Sequence, residues 1–167
     1  PTVSTKDLII HPREHDLVIG TFGRAAWVMD DIRPLRAVAE NPEITTKQSY
    51  IFEPPTSYLA EYQQPTGSRF GGDALFNDEN RKSGSMLTYF YKAKDKKSKD
   101  SLTLKIFDGD RLIRTLNKKA PTETGFHRWY WYMNEKGVAR PSRSDRKRTS
   151  EPGGVTVKPG TYRVVLE

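Results

Sequence analysis

The sequence predicts an all-β protein: a two-sheet sandwich preceded by a short β-meander. The strongest signal lies at residues 102–116, where apolar residues alternate with polar ones on either side of an Asp108-Gly109 pair. That alternation is typical of strands with one buried face, and the Asp-Gly pair supplies the positive φ angles of a tight hairpin. Eleven Pro and twelve Gly interrupt short β-rich runs, which favours strands over helices. Hydrophobic residues make up only 35%, so we expect a lean core with long polar connections.

The N-terminal segment predicts a meander followed by a short helix. Three short strands separated by turns are expected at residues 7–11, 17–22 and 25–29. Asp30-Asp31 can begin a helix over residues 32–40, because Pro34 is tolerated in a first turn. Asn41-Pro42 then ends this helix, since the residue before a proline disfavours helical geometry.

One long motif, residues 11–35, reads HPREHDLVIGTFGRAAWVMDDIRPL. It resembles the closing segment of bacterial β-propellers of the sortilin-like, neuraminidase-repeat family, which are often labelled glycosyl hydrolases. Two positions differ from the usual sequence motif of that family: Phe22 replaces a His, and Ala25 replaces a Gly. The resemblance implies that the meander consists of the last strands of a propeller.

Three short strands make at most one propeller blade, and blades bury their faces only against neighbouring blades. Several apolar residues of the meander would therefore need a partner surface, either the propeller or the downstream domain; they are Leu8, Ile10, Val18, Trp27 and Met29. The chain starts at Pro1 without an initiator Met, and we expect it to be a fragment of a longer protein. The resemblance implies that this parent protein is exported: periplasmic, on the cell surface or secreted.

The rest of the chain predicts a linker and then the sandwich. We expect three parts: the meander and helix at 1–40, a linker with the first sandwich strand at 41–83, and the sandwich at 84–167. A strand at 49–53 is ended by Pro54-Pro55. Further strands separated by turns are expected at 85–91, 102–107, 111–116, 126–133 and 161–166. In the last strand, Tyr162, Val164 and Leu166 share one face.

Fragments of this second part resemble the immunoglobulin-like domain of flagellar hook-capping proteins, a domain that also follows such propellers. The fragments are IFD at 106–108, LIRTL at 112–116, GFHRWYW at 125–131 and KPGTYRVVL at 158–166. The resemblance implies an immunoglobulin- or fibronectin III-like sandwich with Trp131 as a core anchor. Tyr132 replaces the Asp that usually follows this Trp.

The net charge of +7 is concentrated in two polar segments. Residues 92–100 hold five Lys and two Asp, and residues 140–148 hold five Arg or Lys and one Asp, so together they account for the whole excess. Such runs between strands are typical of solvated loops, and we do not expect nucleic-acid binding. An aromatic platform beside a basic groove is the alternative. The chain has no Cys and no apolar run long enough to span a membrane.

Candidates for catalysis and metal binding are few. His11, Glu14 and His15 form the best metal cluster, although they lie in a proline-containing loop and structural sites need three or four converging ligands. Asp108 and Asp110 flank a turn glycine, so the turn explains them better than a glycosidase pair does. Weaker candidates are a calcium loop and a histidine base, at Asp73, Asp78, Glu79 and His127. We find no nucleophile with its base, and we predict no catalytic residue, metal or cofactor.

The aromatic strand offers a possible sugar-binding face, because aromatic rings stack on the apolar faces of pyranose rings. Trp129 and Trp131 share one side of the strand, and Tyr130 and Tyr132 share the other. If one side is core, two of these rings face outward, and a neighbouring domain that covers them is the preferred explanation.

We therefore predict a non-catalytic C-terminal β-sandwich module of a larger exported β-propeller protein, with a structural or docking role toward that propeller. The alternatives are a carbohydrate-binding module that uses its exposed Trp and Tyr side chains, and a secretion or anchoring domain. Removal of the module would stop secretion only in the last case.

Overall fold

The structure is a computed structural model that describes residues 3–23, 25–60, 81–94, 100–139, 141 and 150–167. These residues form eleven strands, one α-helix and one 3-10 helix, and the protein is all-β as predicted. No helix in these ranges has the length and apolar character needed to cross a membrane.

The first three strands form an antiparallel meander in the order β1-β2-β3. They are β1 Thr5–Ile10, β2 Leu17–Thr21 and β3 Ala26–Met29. Helix α1 follows at Arg33–Glu40, and a 3-10 helix at Pro42–Thr46. The predicted helix is confirmed, although it begins at Arg33 and its N-cap is Ile32, which makes no side-chain capping bond. Asp31, just before the N-cap, accepts hydrogen bonds at Oδ1 from the backbone N of Arg33 (3.3 Å) and from its Nε (2.6 Å).

The remaining strands form two three-stranded sheets and a small ribbon. The inner sheet has the order β4-β5-β8, with β4 Ser49–Ile51, β5 Ser85–Tyr91 and β8 Gly125–Trp131. The outer sheet has the order β11-β6-β7, with β6 Ser101–Asp108, β7 Arg111–Lys119 and β11 Arg163–Leu166. The ribbon pairs β9 Asn134–Lys136 with β10 Gly153–Thr156. All of these pairings are antiparallel.

The inner and outer sheets pack face to face. One buried cluster joins both sheets and the residue that follows β10; it consists of Leu87, Leu104, Ile106, Ile113, Trp131 and Val157. A second cluster consists of Tyr89, Tyr91, Leu102 and Ala120. The predicted buried face of β6 and the shared face of Tyr162, Val164 and Leu166 are thereby confirmed, since the last three pack on the first cluster. The immunoglobulin or fibronectin III type of the sandwich stays a prediction.

Strand β5 is buried on both faces. While Leu87 and Tyr89 face the outer sheet, Phe90 packs with Phe52 and with Ile44 of the 3-10 helix. Helix α1 contributes to the same cluster, so the helical segment covers the second face of the inner sheet. A strand covered on both sides has no polar face, which explains the nearly continuous apolar run SMLTYFY.

The predicted central hairpin and the predicted aromatic strand both form, but the turn of the first and the end of the second differ from the prediction. The central hairpin forms, but Asp108 pairs with Arg111 and the loop is Gly109-Asp110. Only Gly109 has a positive φ, +59°, the pattern of a type II′ turn.

The strand expected at 126–133 ends at Trp131, because Met133 adopts a φ of +52° that breaks the pleat. The ribbon strands β9 and β10 were not predicted. Most of the two basic segments lies outside the described residues.

Candidate functional site

The meander carries large apolar side chains in cross-strand rows. The register places Leu8 opposite Ile19, and Ile19 opposite Trp27, so these three side chains share one face. Ile10, Leu17 and Met29 form a second row on that face. Val18 lies on the opposite face with Ile9 and Val28. The residues predicted to need a partner surface are therefore divided between two faces.

Both faces of this sheet are open to solvent. On the first face Leu8 is 59% exposed and Trp27 is 50% exposed. On the second face Ile9 is 63% exposed and Val28 is 58% exposed. Single exposed apolar residues are ordinary, but here exposed apolar side chains recur in cross-strand rows on both faces.

An ionic junction, formed by Arg81 and Arg128 with Glu14, Asp16 and Asp30, joins the meander to the sandwich. Arg81 Nη2 donates to Asp16 Oδ2 at 2.5 Å and to Asp30 Oδ1 at 2.9 Å, and its Nη1 lies 3.5 Å from Glu14 Oε2. Arg128 of β8 donates to the backbone oxygen of Asp30. Burial alone lowers the pKa of Arg81, but the hydrogen bonds and charges of Asp30 and Asp16 outweigh it and raise that pKa.

Backbone hydrogen bonds hold the same end of the meander. The N–H of Ile32 donates to the backbone oxygen of His15 at 2.9 Å, and the N–H of Asp31 donates to Asp16 Oδ1 at 2.9 Å. The loop between β1 and β2 is therefore tied to the start of α1.

The four aromatic residues considered for sugar binding occupy different environments. Trp131 is buried, 4% exposed, and its Nε1 donates to the backbone oxygen of Asn134 at 2.9 Å. Trp129 is half-buried and packs on both core clusters. Tyr130 is half-buried on the opposite face of β8 from Trp129 and pairs with Met86 of β5. Lys82 Nζ lies 5.8 Å from the centroid of its ring. Tyr132 follows the end of the strand and is 61% exposed.

A cleft of about 620 Å³ opens between the extended segment after β4 and the end of the sandwich. Its inner wall contains Trp131 and Tyr162, whose ring centroids lie 5.3 Å apart at an interplanar angle of 72°. Tyr58, which is 57% exposed, lines the cleft from the extended segment. We define this cavity as the Tyr58 cleft.

The candidate metal ligands do not converge. His11 Nδ1 accepts a hydrogen bond from the backbone N of Glu14 at 3.1 Å, and the Glu14 carboxylate pairs with Arg13 at 2.7 Å. Within the described ranges, no group of three or more His, Asp or Glu side chains is placed to hold a metal ion. Asp73, Asp78 and Glu79, considered as a calcium loop, lie outside the described residues.

The carboxylates of the central hairpin and the histidine of β8 have ordinary structural surroundings. Asp108 lies 3.2 Å from Arg111 Nη2 and, with Asp110, belongs to the turn region. His127 Nε2 lies 3.0 Å from the backbone oxygen of Glu123, and its ring packs at 5.6 Å from that of Tyr89.

Two features were not anticipated from the sequence. Arg81 and Arg128 meet Asp30 across 51 and 98 residues, and no local pattern signals such a pairing. Tyr58 was visible as an isolated aromatic near two prolines, but nothing in the sequence indicates that it lines the same cleft as Trp131.

Comparisons with protein families, with curated proteins and with solved structures each found no match.

Proposed function

We propose that this chain is the non-catalytic C-terminal module of a larger exported β-propeller protein. In this role the meander completes the propeller, and the sandwich fixes its orientation or attachment. The module itself converts no substrate.

The observation that carries this proposal is the apolar surface on both faces of the meander. A blade of a propeller lies between two other blades, so both of its faces become buried only in the assembled ring. Leu8 and Trp27 on one face and Ile9 and Val28 on the other are about half exposed or more in this chain alone. Burial of such side chains stabilises by about 1 kcal/mol or more each.

The ionic junction supports the orienting part of the role. Arg81 contacts two acids at the same end of the meander sheet, Asp16 before β2 and Asp30 after β3. A propeller built on the meander would therefore be held at a defined angle to the sandwich.

The test is to produce the upstream part of the parent protein and this chain as separate polypeptides and to measure their association by calorimetry. We expect binding that Trp27→Lys weakens at least about tenfold, because a charge replaces a buried ring. Leu112→Lys is the matched control, since Leu112 is 48% exposed but belongs to the sandwich.

An upstream part without propeller repeats would contradict the proposal, as would binding that Trp27→Lys leaves unchanged. The non-catalytic part is tested separately: turnover of aryl glycosides by this chain alone would overturn it.

A further inference from the structure

We propose that the Tyr58 cleft binds a neutral saccharide. This role goes beyond docking to a propeller and does not depend on it. It also differs from stacking on the outward side of β8, because the ligand would occupy the cleft that Trp131 and the extended segment line.

The size and rigidity of the cleft suit a small ligand. Its volume of about 620 Å³ falls within the range of ligand sites, about 300–1,000 Å³. Its inner wall is held in place by hydrogen bonds: Trp131 Nε1 to Asn134, Tyr162 OH to the backbone oxygen of Lys158 at 2.5 Å, and the N–H of Val157 to Met133 at 2.9 Å. A wall fixed in advance loses little entropy when a ligand binds.

The side chains that line the cleft favour a neutral ligand. Among the described residues that line it, Lys158 carries the only charged side chain, although the chain as a whole has a net charge of +7. An anionic ligand would find more positive charge elsewhere on this protein, and a cationic ligand would find no carboxylate among these lining residues.

The mixture of surfaces points to a sugar rather than to a purely apolar molecule. The wall provides aromatic and aliphatic side chains, including Tyr162 and Val164, while Thr56, Ser57 and Thr161 add hydroxyl groups. Sugar rings likewise combine C–H faces with hydroxyl edges. Tyr58, which is exposed and follows Thr56 and Ser57 in the chain, is the ring on which a sugar would stack.

The experiment is a calorimetric titration of the full chain with neutral oligosaccharides of glucose, xylose, mannose and galactose at millimolar concentrations. An acidic oligosaccharide and a proline-rich peptide are included as competing ligand classes. We expect saturable binding of at least one neutral sugar. Tyr58→Ala should weaken it about tenfold or more, because a stacking partner is lost.

Tyr132→Ala is the matched control, since Tyr132 is equally exposed but lies outside the cleft lining. We expect the Tyr132→Ala variant to bind the neutral sugar with an affinity within about twofold of that of the original protein. The proposal is overturned if no neutral sugar binds, if only the acidic sugar or the peptide binds, or if Tyr132→Ala weakens binding while Tyr58→Ala does not.

Discussion

Ala25 occupies the turn between β2 and β3 with a φ of +57°, in the left-handed region that favours glycine. Any residue with a Cβ has an unfavourable conformational energy there, about 1–2 kcal/mol. Thr21 Oγ1 donates to the backbone oxygen of Ala25 at 2.6 Å, which helps to hold the turn despite this strain. The backbone angle therefore suits glycine better than alanine at this position.

We predict that Ala25→Gly stabilises the meander by about 0.5–1 kcal/mol, because removing the left-handed strain outweighs the greater chain entropy of glycine. Amide hydrogen exchange of β2 and β3 should slow about two- to fivefold. Ala26→Gly is the control: Ala26 lies within β3, so glycine should speed the same exchange. Faster exchange in Ala25→Gly would contradict the prediction.

Gly84 lies immediately before β5 and has a φ of +107°. A Cβ built at this position would lie 2.6 Å from the backbone oxygen of Trp131, which is closer than real Cβ atoms approach such an atom. Because the clash is with backbone, it cannot be relieved by turning a side chain.

We predict that Gly84→Ala destabilises the sandwich by at least about 2 kcal/mol, the sum of backbone strain and steric clash. Denaturant unfolding followed by tryptophan fluorescence measures this loss. Gly109→Ala should lose less than Gly84→Ala, because Gly109 has a φ of +59° but open space around its Cα, so that only backbone strain opposes the substitution. Equal losses in the two variants would show that the close approach to Trp131 is unimportant.

At the scale of elements, one ion pair connects the ribbon to the outer sheet. Arg111 of β7 contacts both carboxylate oxygens of Glu135 in β9, at 3.0 and 2.8 Å. The hydrogen bond from Arg111 holds the pKa of Glu135 below its usual range. A carboxylate whose pKa is lower in the folded state stabilises folding above its unfolded pKa, and this contribution is lost as the pH falls through the folded value.

We predict that Glu135→Gln lowers stability at pH 7 and that the difference from the original protein narrows as the pH falls below about 4.5. Urea unfolding at a series of pH values between 7 and 3 measures this. The exposed Glu53 provides the control variant Glu53→Gln. A difference for Glu135→Gln that does not depend on pH would exclude the ion pair as its cause.

At the scale of the whole molecule, the ionic junction couples a poorly covered sheet to a well-packed sandwich. The meander is bound to the rest mainly through its loop and helix end, where Arg81 contacts Asp16 and Asp30. The core of the sandwich lies elsewhere, between the inner and outer sheets. Local opening of the meander is therefore expected at lower free energy than unfolding of the sandwich.

We predict that Arg81→Gln speeds hydrogen exchange in β2 while leaving exchange in β5 and β6 unchanged. The carboxylate of Asp16 would then lose the contact with Arg81, while Asp30 would keep its contact with Arg128. Lys82→Gln is the matched control, because the neighbouring Lys82 lies over the ring of Tyr130 instead. Uniformly faster exchange in all strands would mean that the junction belongs to a single cooperative unit.

Local patterns in the sequence were sufficient to predict those elements whose backbone geometry is set by neighbouring residues. The alternation of Leu102, Leu104 and Ile106 predicted the buried face of β6, and the Asp108-Gly109 pair predicted the hairpin. The Asn41-Pro42 pair correctly predicted the end of α1, and Pro34 lies in its first turn as expected. In each case neighbouring residues alone determine backbone geometry or which face is apolar.

Only the tertiary structure decided what these elements contact. The strand register placed Val18 on the opposite face of the meander from Leu8 and Trp27. The fold brought Arg81 to Asp30, and it placed Tyr58 in the cleft that Trp131 also lines. The physical reason is that such contacts join residues far apart in the chain, and no periodicity within one segment encodes them. Strands follow from local alternation, whereas surfaces and clefts follow from the arrangement of the strands in space.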